Sequence, residues 1–130
     1  MKEITDDYVS FEIAKLLKEK GFDELCFALY NPEEELIQCG VKLSNTQVGR
    51  VPGSYSAPTH QMALKWLREV HNIFIEIKYV PNQFTDEPGY KAMIWDMSEE
   101  IGRPLPDDIE YAFYETCVNN ALKYTLQNFI

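Results

Sequence analysis

The feature that most constrains this chain is a change of hydrophobic period at Asn72. Before it, the stretch SAPTHQMALKWLREVHN places Met62, Ala63, Trp66, Leu67 and Val70 on one side of a helical wheel, opposite Lys65 and Glu69. After it, Ile73, Ile75, Ile77 and Tyr79 alternate with Phe74, Glu76, Lys78 and Val80, which is the two-residue period of a strand. Thr59 stands where an N-cap is needed, so a helix over 60–71 is expected to run almost directly into a strand. Pro81 to Gly89 reads as a turn region and YKAMIWDM, 90–97, as the returning strand, which makes a hairpin.

The same grammar appears earlier in the chain. Ser10 and Gly21 bracket an amphipathic helix over 11–20, with Ile13, Leu16 and Leu17 as its narrow apolar stripe. ELCFALY, the turn NPEEE and LIQCGVKL then form a first hairpin ending at Leu43. SNTQVGRVPGSYS, 44–56, shows no sustained period and is expected to be irregular. SEEIGRPLP, 98–106, also breaks the pattern. Asp107 followed by Glu110 has capping-box spacing and predicts a last helix running to about Asn128.

The expected fold is therefore a single two-layer α+β domain over residues 1–130. It has an antiparallel sheet of about four strands in two hairpins and three helices, in the order α-ββ-α-ββ-α. Because the apolar positions of the last helix cover more than half its circumference, it is expected either to be sandwiched in the fold or to meet another subunit.

Composition narrows the function. With 21 acidic against 12 basic residues and a net charge of -9, the chain lacks the basic footprint of a nucleic-acid binder, so direct nucleic-acid binding is not expected. No run of residues has the length and apolarity of a membrane span, and the opening MKEITDDYVS is unlike a signal peptide. A cytoplasmic protein with no membrane partner is expected. Cys26, Cys39 and Cys117 are odd in number and widely spaced, which suggests buried thiols rather than a disulfide framework or zinc knuckle.

Reactive groups are sparse. His60 and His71 share a helix face, yet they are roughly 16 Å apart along the axis and cannot ligate one metal ion. His60, with Tyr55 and Thr59, is the one local cluster of polar functional groups, a candidate small-ligand pocket to which Cys39 could be added by the fold. No phosphate loop, nucleophile elbow, zinc-protease motif or calcium loop is present, so no catalytic residue, metal or cofactor is implied. Tyr111, Tyr114, Val118 and Leu122, on the last helix, form the candidate interface.

Three segments, EKGFDELCFALYN, SAPTHQMALKWLREVHNI and YETCVNNALKYTLQNFI, together resemble a family of small uncharacterised proteins encoded by gut Bacteroidetes and by their phages or integrated mobile elements. The likeness covers nearly the whole chain. Its most specific part is APT followed by a helix carrying Trp66, Arg68 and Glu69, and the chain departs from it in a longer acidic N-terminus and in the loop from Val48 to Tyr55. The resemblance implies a short reading frame of a phage or mobile element expressed in a bacterial cytoplasm, and it implies no site residue.

The leading expectation is a non-enzymatic acidic accessory protein that acts by protein–protein interaction or self-association, as a dimer through the last helix. The alternatives are a nucleic-acid mimic that occupies the basic groove of a host DNA-binding or defence protein, and a small-ligand binder or enzyme with a pocket near His60.

Overall fold

The computed structural model describes residues 5–81 and 87–130, so most of the turn expected over 81–89 lies outside the described residues. The chain is α+β and divides into two compact units, one ending at Ala63 and the other beginning at Leu64. Each unit has its own three-stranded antiparallel sheet in place of the one sheet of about four strands expected from sequence.

In the first unit, α1 spans Phe11–Glu19 and is capped as its sequence indicates, with Ser10 Oγ accepting from Ile13 N at 3.3 Å. Its buried stripe is Ile13, Ala14 and Leu17, and Gly21 follows with φ 92°, a conformation open to glycine at little steric cost. Strands β1, Cys26–Tyr30, and β2, Leu36–Leu43, form the expected hairpin. The segment 44–56 is more ordered than its composition suggests. It contains a short helix α2, Asn45–Val48, and a two-residue strand β3, Tyr55–Ser56, that completes the sheet in the order β2-β1-β3.

Local hydrogen bonds explain that order. Ser44 N donates to Gln47 Oε1 at 2.9 Å, which opens α2. The buried Asn45 side chain donates from Nδ2 to Phe22 O at 2.7 Å and accepts from Ser56 N at 2.8 Å. One amide thus ties α2, β3 and the exit of α1 together, satisfying two backbone groups that would otherwise be buried unpaired. Thr59 Oγ1 accepts from Met62 N at 3.2 Å and caps α3, His60–His71, whose bounds match the sequence reading. Ala63, Leu64, Trp66 and Leu67 of α3 are buried, whereas Met62 and Val70, counted on the same arc, are exposed, Val70 by 57%. The buried stripe is narrower than the hydrophobic one.

In the second unit, β4, Ile73–Val80, pairs along its whole length with β5, Gly89–Asp96, and β5 pairs with β6, Ile101–Pro104. The segment 98–106, read as a break, therefore holds the third strand. Gly102 sits opposite Trp95, and a Cβ there would lie 2.8 Å from the indole, so glycine lets the ring lie flat over β6.

The last helix is shorter than expected. Residues 107–113 do not form its first turns. Asp107 and Asp108 have φ of 62° and 49°, the Asp108 carboxylate pairs with Lys91 Nζ at 2.9 Å, and Tyr111 exchanges two backbone hydrogen bonds with Tyr90, each 2.8 Å. The Tyr111 backbone and the Asp108 side chain are thus held against β5, and α4 begins at Tyr114 and ends at Asn128. It packs on β4 and β5 through Cys117, Val118, Ala121, Leu122, Thr125 and Leu126, a single stripe that needs no second covering layer. Leu122 and Leu126 are fully buried, each contributing roughly 1.5–3 kcal/mol by removal from water.

Candidate functional sites

Cross-strand register determines which side chains of the second sheet share a face, since residues directly opposite one another project the same way. Ile73 faces Asp96, which faces Ile101, and in the next row Ile75 faces Ile94, which faces Arg103. Ile73, Ile75 and Ile94 are buried, so this is the inner face. Where the rows end, the inner face opens into a cavity of about 230 Å³ lined by His71, Ile73, Ile94, Asp96, Glu99, Ile101, Arg103 and Phe129. It combines an apolar wall with two carboxylates, a guanidinium and an imidazole.

The polar groups of the cavity are held by short-range structure. Asp96 Oδ1 accepts from Ser98 N at 2.9 Å and Glu99 N at 3.3 Å, closing the turn between β5 and β6. The Arg103 guanidinium lies 6.0 Å from the Phe129 ring centroid, within cation–π range. His71, the last residue of α3, meets Trp66 edge-on at 4.6 Å, and its Nε2 is buried with no hydrogen-bond partner among the described residues. No group of His, Cys, Asp and Glu converges as a metal site among the described residues.

A second feature lies on the first unit. Phe27 and Leu29 alternate with the buried Cys26 and Ala28, and Ile37 pairs with Leu29, which places Phe27, Leu29 and Ile37 on the outer face of the sheet. Phe27 is 52% exposed and Ile37 42%, and Leu25 and Val41 of the same hairpin are also exposed, Val41 by 63%. Lys42 Nζ stands 5.1 Å over the Phe27 ring, and acidic side chains at Glu24 and Glu33 to Glu35 are exposed around the hairpin. The hairpin is thus an apolar patch with a largely acidic surround.

The residues singled out from sequence fall elsewhere. His60 is buried, and neither it nor Tyr55 lines a described cavity near the start of α3. Thr59 alone does, in a shallow groove shared with Tyr8, Cys26, Phe27 and Lys42. Tyr55 packs on Phe11 at 5.5 Å and under Lys18. Cys39 is half-buried in β2, while burial pushes the Cys26 and Cys117 thiols up to about 11, which leaves both protonated at neutral pH.

Of the candidate interface, Val118 and Leu122 are fully buried inside the chain and offer no surface, because the inner stripe of α4 takes them. Tyr114 is exposed at the helix start and stacks edge-on with Tyr90 at 5.7 Å, and Tyr111 is half-buried in its bridge to Tyr90. Phe113, not singled out from sequence, is the most exposed large apolar side chain described, at 69%. Exposed carboxylates occur on α1, the β1–β2 turn, β4, the β5–β6 turn and the approach to α4.

The outer patch was hard to read from sequence because β1 and β2 look like ordinary half-buried strands whichever face is covered. The cavity was missed because β6 carries Gly and Pro at alternate positions, which hides the period of Ile101 and Arg103.

No protein-family model matches the chain, and no curated protein or solved structure matches it in comparison. No described helix is long and apolar enough to cross a membrane.

Proposed function

We propose that this protein acts by binding another protein, as a non-enzymatic accessory factor of a phage or mobile element in a bacterial cytoplasm. The observation that carries the reading is the group of exposed apolar side chains on and just before the β1–β2 hairpin, where Leu25, Phe27, Ile37 and Val41 are open to water. Exposed apolar side chains gathered on one element mark interaction sites, and aromatic side chains are favoured anchors there. The acidic surround and the net charge of -9 favour a partner whose own apolar patch is rimmed by Lys and Arg, since complementary charge speeds encounter and suppresses wrong partners. This moves the proposed interface from α4 to the hairpin. The mimic reading needs carboxylates aligned at phosphate-like spacing, and the exposed acids here belong to many separate elements.

The test is affinity capture from lysate of a bacterial host, with wild type compared with Phe27→Lys and Val41→Lys, alongside the mass of the free protein in solution. A partner, or a self-associated mass, that is present in wild type and lost in both folded variants supports the hairpin. Identical captured proteins and identical mass in all three would remove it.

A further inference from the structure

The cavity on the inner face of the second unit has a chemistry of its own, separate from the hairpin patch. We propose that it binds a small zwitterion with an apolar body, of which an α-amino acid with an aliphatic or aromatic side chain is the simplest form.

Charge distribution carries the argument. Arg103 lines the same cavity as Asp96 and Glu99, yet among the described residues the guanidinium pairs with neither carboxylate and stands over the Phe129 ring. Opposite charges that share one concave site without meeting can both be engaged by a ligand that carries the two complementary charges. A carboxylate takes the guanidinium fork, for which arginine geometry is suited, and an ammonium takes the acids of the β5–β6 turn. An anion alone would face two carboxylates, and a cation alone would face Arg103.

A further observation fits the same occupant. Ile73, Ile94, Ile101 and Phe129 supply the apolar wall that a side chain would cover. Size limits the ligand as well. A cavity of about 230 Å³ is below the roughly 300–1,000 Å³ of pockets for drug-sized molecules.

The experiment is titration calorimetry of the full chain with L-valine, L-leucine and L-phenylalanine. The leucine analogues 3-methylbutylamine, which lacks the carboxylate, and 4-methylpentanoate, which lacks the amine, serve as controls. Saturable binding of at least one amino acid is expected, with the analogues at least tenfold weaker than leucine if leucine binds. Arg103→Gln and Glu99→Gln are each expected to weaken amino-acid binding at least tenfold. Both side chains are exposed, so the variants are expected to fold, and circular dichroism checks this. Absence of binding for all three amino acids overturns the proposal, as does undiminished binding in both variants. Equal binding of the amine alone would show a simple cation site and also overturn it. Because Phe27 and Val41 lie outside this cavity, failure here leaves the hairpin reading standing, and the reverse holds.

Discussion

Asn45 shows how much a single polar side chain decides in a small unit. Its amide both donates to Phe22 O and accepts from Ser56 N in a buried site, so it satisfies two backbone groups, one after α1 and one in β3. Removing the partner of a buried polar group costs roughly 1–3 kcal/mol for each group stranded. Asn45→Ala is therefore expected to destabilise the protein by about 2–6 kcal/mol, read as a lower urea midpoint at unchanged slope. A loss below about 0.5 kcal/mol, the range of ordinary surface substitutions, would show that water or a local shift replaces the amide. Asn45 was not legible as a core residue, because asparagine in a Gly- and Pro-containing stretch reads as a turn. His60 is the converse case: its place in sequence suggested a pocket, and burial put it among the packed residues.

At the scale of elements, the short helix α2 is held at its start by Asp23, whose Oδ1 accepts from Thr46 N at 2.8 Å and whose Oδ2 accepts from Thr46 Oγ1 at 2.6 Å. The Thr46 hydroxyl and amide hold the Asp23 carboxyl below its usual value of 3.8. A depressed carboxylate pKa contributes stability that is fully present above the unfolded value and lost as pH falls through the folded one. The stability advantage of wild type over Asp23→Asn should thus be steady from pH 7 to about 5 and shrink as pH falls below 3.8. Denaturant titrations of both proteins at a series of pH values check this, and a difference that stays constant down to pH 2 would show that the carboxylate charge is not what anchors α2. The elements themselves were largely legible. α1, the two hairpins and α3 follow from local period and caps, and the bounds of α3 were read without error. The start of α4 was not, because the residues around the apparent capping box are held by the sheet instead: Asp107 has a positive φ, its neighbour Asp108 pairs with Lys91, and Tyr111, next to Glu110, bridges to Tyr90.

Over the whole molecule the charge is unbalanced, at -9, with 21 acidic against 12 basic residues. With acids in such excess, salt should act mainly by screening repulsion among carboxylates. Its reach falls from about 30 Å at 0.01 M to about 8 Å at 0.15 M ionic strength. The thermal midpoint is expected to rise between those two salt concentrations, measured by circular dichroism. A midpoint that falls would mean that attractive contacts outweigh the repulsion. What the sequence determined alone was the α+β class, the antiparallel hairpins and most helix ends, since each depends on side chains within a few residues of one another. Only the tertiary structure decided that the strands split into two sheets, that Ile101–Pro104 joins the second, that Val118 and Leu122 turn inward, and that Arg103 shares a cavity with His71, Asp96 and Glu99. Those outcomes rest on pairing and burial between segments far apart in the chain, where period and composition carry no information about which face will be covered.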